Sequence, residues 1–310
     1  MRRWYVLLFL PPILIAVDAM AKEYDIVTRW VHLGSSDLSE AIFRWRQEGG
    51  EVNADKREIY LFGNSATREA FDQKIMAEAL GIPVYNFALT SVRLDQFDET
   101  SVPLGKDDVL VIGLNEPLLD DRTPRNQSLD TYNDDSTPYL VRHRSSLFKL
   151  LKDRVRYFAG RVLGHRYNPY RSGEMVYQYR FSARRKKNQN LDSLGPAMRE
   201  RLVPDGRDHA ISNVDAFVRL YEKLQESGCS IIVFVLPDRM PPEINALYSG
   251  GAERLIAAAR ERNIHVIDGR TLPLDDADYF DYGHLLSPGR NKVSDFAIRE
   301  LRQVLGQEIR

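Results

Sequence analysis

The sequence predicts an α/β protein built on a parallel sheet with helices on both faces. Three observations carry this. Apolar runs of strand length recur along the chain. Segments with apolar residues at helical spacing stand between them. One long stretch, residues 118–212, breaks the alternation and reads as a large insertion. Strands separated by helices imply parallel pairing, with the sheet buried on both sides.

The elements follow in order. Residues 22–57 are a polar lead-in, where Ser35 or Ser36 caps a helix over residues 37–45 that Gly49 and Gly50 end. Residues 58–62 form the first strand. Residues 66–80 read as one helix, with Ala70, Phe71, Ile75, Ala77 and Leu80 at helical spacing and Gly81 closing it. Residues 83–87 form a second strand, residues 93–100 a short helix, and residues 108–113 a strong third strand. Beyond the insertion, residues 213–225 are a helix on Phe217, Leu220, Tyr221 and Leu224. Residues 230–236 are the most apolar strand, residues 252–262 a helix, and residues 265–267 a short last strand. Ser287-Pro288 opens the final helix, which runs through Phe296, Ile298, Leu301 and Leu305. Proline suits its first turn.

Composition bounds the function. A chain of 310 residues, 43% apolar and 28% charged, suits one large α/β domain with an insertion. The net charge of −1 supplies no global field for nucleic acid. Cys229 is the only cysteine, so no internal disulfide forms. At the edge of an apolar strand it reads as a small buried residue. The insertion is acidic and turn-rich to Asp135. From Arg142 to Lys187 it carries 14 Lys or Arg against Asp153 and Glu174, with Tyr157, Tyr167, Tyr170, Tyr177 and Tyr179 among them. That basic stretch is either a solvated face or a surface for an acidic polymer or lipid headgroups, with Arg184-Arg185-Lys186-Lys187 the piece expected to interact.

The N-terminus has an export pattern. Arg2 and Arg3 precede an apolar run from Trp4 to Val17, followed by Ala19-Met20-Ala21. The run is shorter than the roughly 17–25 residues of a spanning helix. Residues 1–21 are therefore a cleavable signal peptide or a short membrane anchor, with a buried helix as the alternative. Charge asymmetry then places the chain beyond residue 22 outside the cytoplasm, in the periplasm or at the cell surface.

The candidate site comes from placing polar residues on this map. Ser65 follows the first strand in Gly63-Asn64-Ser65. Asn115 follows the third in Gly113-Leu114-Asn115-Glu116. Asp281 and His284 lie in the loop before the last helix, in Asp281-Tyr282-Gly283-His284. All fall at the carboxyl edge of a parallel sheet, where α/β proteins bind ligands. A serine hydroxyl needs a base, His284, and the base needs a carboxylate on its other nitrogen, Asp281. The backbone N–H groups of Ser65 and Ala88 and the Asn115 amide are candidate donors to an oxyanion. His32, His143, His165, His209 and His265 lack such a context, and no metal-ligand, phosphate-loop or dinucleotide pattern occurs, so neither metal nor cofactor is expected.

These motifs resemble the SGNH (GDSL-like) hydrolase superfamily. Gly63-Asn64-Ser65 matches its first block, Asn86-Phe87-Ala88 its second, Gly113-Leu114-Asn115-Glu116 its third, and Asp281-x-x-His284 its fifth, in order across residues 58–306. Three positions depart: Asn64 and Glu116 stand where the family has aspartate, and Ala88 where it has glycine. Ala88 still offers an N–H, with that of Leu89 as the alternative donor. The resemblance implies a flavodoxin-like three-layer sandwich and a Ser65–His284–Asp281 triad. The layout of leader, lead-in, Gly-x-Ser, insertion and Asp-x-x-His is closest to membrane-anchored proteins of alginate O-acetylation and D-alanyl-lipoteichoic-acid transfer. The expected function is thus an exported serine esterase or O-acyltransferase acting on acyl esters of envelope or extracellular polysaccharide. It implies an acylated glycan substrate, a membrane-bound acyltransferase partner and no nucleic acid. The alternative is a non-catalytic accessory or glycan-binding protein that keeps the fold.

Overall fold

The computed structural model describes residues 4–23, 45, 56–100, 102, 104–123, 138–142, 211–239, 250–281 and 283–308. The lead-in helix over residues 37–45 apart from Trp45, most of the insertion, its basic stretch and tyrosines, and His32, His143, His165 and His209 lie outside those residues. Chain contacts divide the molecule into two units, Met1–Gly50 with Gln127–Ser172, and Glu51–Asn126 with Gly173–Arg310.

In the first unit, helix α1 spans Trp4–Glu23 and contains Pro11 and Pro12. The Leu140 N–H donates to its Asp18 carboxylate at 2.7 Å. Leu10, Ile13, Leu14, Ile15, Val17 and Met20 of α1 are exposed. Among the described residues no helix is long and apolar enough to cross a membrane.

The second unit holds the predicted sheet. Strands β1 (Ile59–Phe62), β2 (Val84–Asn86), β3 (Val109–Leu114), β4 (Ser230–Val235) and β5 (His265–Asp268) are all parallel, in the order β2-β1-β3-β4-β5. Helices α2 (Ser65–Ala70) and α3 (Gln73–Leu80) follow β1, and α4 (Glu116–Leu119) follows β3. The short α5 is Tyr139–Arg142 of the first unit. Helix α6 (Ile211–Ser227) precedes β4, α7 (Gly251–Glu261) precedes β5, and α8 (Ser287–Glu308) closes the chain. Every residue of β1 and β3 is buried, as a sheet covered on both faces requires.

Side-chain alternation sorts the strands onto two cores. Ile59, Leu61, Val109, Val111, Ile232, Phe234 and Ile267 pack with Ala70 and Phe71, with Met76 of α3, and with Val293, Ala297 and Leu301 of α8. On the opposite face Phe62 meets Phe97 edge-on, ring centroids 4.9 Å apart, in the 3-10 helix Leu94–Thr100. The helix expected over residues 93–100 is thus this tighter form. The single helix expected over residues 66–80 is two. Phe71 leaves helical geometry to pack edge-on against Phe234 at 5.0 Å, and Asp72 recaps the chain by accepting from the Lys74 and Ile75 N–H groups. A core aromatic and a strong N-cap residue in succession outweigh continuous helical periodicity.

The amino edge of the sheet carries a buried carboxylate. The Asp108 carboxylate accepts from the Glu58 and Gly105 N–H groups, and burial pushes its pKa up against these bonds. Cys229 is buried there, and burial with the nearby Asp108 charge pushes its thiol up to about 12, so it is chemically quiet.

At the carboxyl edge, β1 and β3 approach each other around Thr67. Its hydroxyl donates to the Gly113 carbonyl at 3.0 Å, and a Cβ at either Gly63 or Gly113 would overlap the threonine side chain. These glycines let the first turn of α2 sit directly on the strand ends. Gly113→Ala should therefore lower stability by about 1–3 kcal/mol, the ordinary cost of overpacking. Gly306→Ala, where open space surrounds the added Cβ, should not destabilise. Thermal melts of the two variants check the contrast.

Candidate active site

Each site residue is set by a local stop signal at the carboxyl edge. Asn64 caps α2, its side-chain oxygen accepting from the Ala66 N–H at 3.0 Å, which starts the helix on Ser65. Asn115 caps α4 the same way, accepting from the Leu118 N–H at 3.2 Å. The loop from β5 to α8 is closed on itself. Tyr279 and Leu285 form an antiparallel bridge, Phe280 N–H donates to the His284 carbonyl at 2.8 Å, and Leu286 N–H donates to the Asp278 carbonyl at 2.8 Å. Asp278 is buried and accepts from Lys292 of α8 at 2.7 Å, which ties the loop to the helix behind it.

The closed loop presents His284 to Ser65. His284 Nε2 lies 2.8 Å from Ser65 Oγ, and Nδ1 lies 2.9 Å from both Asp281 carboxylate oxygens. Asp281 also accepts from the Gly283 and His284 N–H groups at 3.0 and 2.8 Å. Burial alone would raise the Asp281 pKa. The bond and charge of His284 and the two N–H groups outweigh it and hold the carboxyl below the usual range. The structure thus brings together Ser65, His284 and Asp281, separated by 219 residues at the widest bond.

A second clamp joins the same two parts of the chain. Arg290 of α8 donates from Nε to the Glu69 carbonyl at 3.2 Å and from Nη2 to the Glu69 carboxylate at 3.3 Å. Both side chains are largely buried, and Glu69 lies four residues beyond Ser65 on α2.

The expected oxyanion donors fare differently. The Ser65 N–H is the first of α2 and by position has no acceptor within the helix. Asn115 is buried and sits beside Asn64, whose Nδ2 donates to Asn115 Oδ1 at 2.8 Å. The Ala88 N–H is occupied: it donates to Asn86 Oδ1 at 3.1 Å, an Asx turn. The alternative at Leu89 is occupied too, by the Gly63 carbonyl at 2.9 Å. Neither N–H is free in this conformation. Glu116 turns away toward the start of α7, where its Oε1 accepts from the Ala252 N–H at 3.3 Å. Burial raises its pKa against the opposing Ala252 and Gly251 N–H groups.

Sequence reading missed Ser91, which has φ 54° in the loop after β2. Among the described residues its N–H has no acceptor. A serine in that region of backbone space is uncommon, and no residue pattern announces it. The Asn64–Asn115 and Glu69–Arg290 contacts were also missed, since neither pair is local in sequence. Among the described residues no group of three or more His, Cys, Asp and Glu is placed to hold a metal.

No protein-family model and no curated protein matches the chain. Solved structures similar to it include a carbohydrate acetylesterase family member from Sinorhizobium meliloti, 12% identical, covering 81% of this chain and 99% of that one at a TM-score of 0.39. They also include a GDSL-like lipase from Bacteroides thetaiotaomicron, 11% identical, covering 84% and 97% at a TM-score of 0.39. The doubly wound parallel α/β fold is defined by the strand order and register of the chain itself.

Two outcomes follow from the clamp and the loop. Arg290→Met leaves Glu69 with only the Arg68 Nε contact at 3.4 Å and should cost about 1–3 kcal/mol of stability, read by denaturant unfolding. Asp281, with a folded pKa below its unfolded value of about 3.9, stabilises the fold above that pH and loses this contribution as pH falls through the folded value. Melts of wild type and Asp281→Asn should therefore converge on acidification below about pH 4.

Proposed function

We propose that the chain is an SGNH-type serine esterase or O-acyltransferase that acts on acyl esters of envelope or extracellular polysaccharide. The observation that carries this is the continuous relay from Ser65 Oγ through His284 to Asp281. Ser65 Oγ attacks the ester carbonyl while His284 Nε2 takes its proton. Asp281, ionised well below neutral pH, holds the ring by Nδ1 and stabilises the imidazolium. The carbonyl oxygen becomes an oxyanion held by the Ser65 N–H and the Asn115 amide. Collapse expels the sugar alkoxide, which His284 protonates. Water or a second sugar hydroxyl, deprotonated by His284, then attacks the acyl-enzyme and frees Ser65.

The occupied Ala88 N–H is the observation that favours the second reading, a non-catalytic accessory or glycan-binding protein. The export part of the proposal is supported by the basic start, the apolar run and its exposure in α1. Residues 1–21 then direct the chain to the periplasm or cell surface, as a signal or as an anchor in the cytoplasmic membrane beside a membrane-bound acyltransferase.

Turnover of an aryl acetate tests the catalytic part. Ser65→Ala should abolish turnover, and Asn115→Ala should raise the barrier by about 2.7–4 kcal/mol, the usual effect of losing one oxyanion donor. Equal rates for wild type and Ser65→Ala would leave the accessory reading. Adding O-acetylated and de-acetylated glycans to the same assay separates the acceptors: acetyl appearing on the glycan indicates a transferase, acetate alone a hydrolase.

A further inference from the structure

We propose that Asn64 is a positioning residue for Asn115, and that the pair of amides sets which N–H the site can use. This rests on the catalytic reading above. The two asparagines occupy equivalent places, one at the end of β1 and one at the end of β3, and each caps the helix that follows. They are 51 residues apart and both are buried. Asn64 Nδ2 donates to Asn115 Oδ1 at 2.8 Å, and Asn115 Nδ2 donates back to Asn64 Oδ1 at 3.3 Å.

Two backbone groups remove the ambiguity of amide orientation. The Ala66 N–H can be accepted only by an oxygen, so the capping atom of Asn64 is Oδ1. The Leu118 N–H imposes the same on Asn115. With both oxygens assigned, each nitrogen must face the other residue's oxygen. One hydrogen of Asn115 Nδ2 is spent on Asn64. The second has no acceptor among the described residues and is the one left for an oxyanion. Without the Asn64 amide, the Asn115 side chain keeps a single tie, the Leu118 N–H, and its nitrogen is no longer held. Preorganisation of that donor is what an oxyanion site needs, since a donor that must reorient during the reaction stabilises the transition state less.

Asn64→Ser isolates the effect. Serine is as good a helix cap as asparagine, so α2 and Ser65 keep their start, but its side chain is too short to pair with Asn115. In the full-length protein, Asn64→Ser should lower kcat for an aryl acetate about tenfold with little change in KM. In an Asn115→Ala background the same substitution should have almost no further effect, because the group it positions is gone. Equal effects of Asn64→Ser in the two backgrounds would overturn the proposal, as would an unchanged kcat. A second readout does not need turnover. The Asn115 side-chain amide resonance, assigned by its loss in Asn115→Ala, should be sharp in wild type and broadened in Asn64→Ser. An amide signal unaltered by Asn64→Ser would also overturn it. Should wild type lack esterase activity, the catalytic reading falls, and the proposed role in positioning an oxyanion donor falls with it.

Discussion

The hydrogen bond from His284 Nε2 to Ser65 Oγ, 2.8 Å long, is the contact on which the functional account depends. It joins the first crossover of the sheet to the loop before the last helix, and almost everything else at the carboxyl edge serves to hold those two pieces in register. On one side, Gly63 and Gly113 admit Thr67 so closely that the turn carrying Ser65 is seated on the ends of β1 and β3. On the other, the loop is closed by its own backbone bonds and tied through Asp278 to Lys292. Arg290 then bridges the two sides directly by binding Glu69 twice. A hydrogen bond between residues so far apart in sequence is cheap to keep only when such neighbours have already fixed its ends.

The electrostatics agree with that geometry. Asp281 is held ionised by His284 and two loop N–H groups, which suits the role proposed for it, steadying an imidazolium. The buried carboxylates elsewhere have other partners. Asp108 ties down the amino edge, and Glu116 binds the start of α7. Cys229, with its thiol pushed up to about 12, offers no competing nucleophile. The chemistry of the described residues is thereby concentrated at one edge of the sheet.

Much of this was legible in the sequence, because the relevant signals are local. Five apolar runs between helical segments foretold five parallel strands, and Ser65, Asn115, Asp281 and His284 each follow a strand or precede a helix at a readable stop signal. The failures have physical causes. The helix expected over residues 66–80 breaks because Phe71 is drawn into the core and Asp72 recaps the chain, an effect of packing that periodicity cannot register. The sequence also does not show that Asn86, two residues earlier, accepts from the Ala88 N–H. The strain at Ser91 and the Asn64–Asn115 pair depend on loop geometry and on contacts between distant segments.

Asn64 bonds in a way that an aspartate at its position would not. An amide at that position can both accept from the helix and donate to Asn115, a combination a carboxylate lacks. The most direct measurement of the central claim is covalent labelling of the full chain with a fluorophosphonate, followed by peptide mapping. The account predicts one adduct, on Ser65, that disappears in Ser65→Ala and forms far more slowly in His284→Ala. An unlabelled wild-type protein, or an adduct that persists in Ser65→Ala, would contradict it.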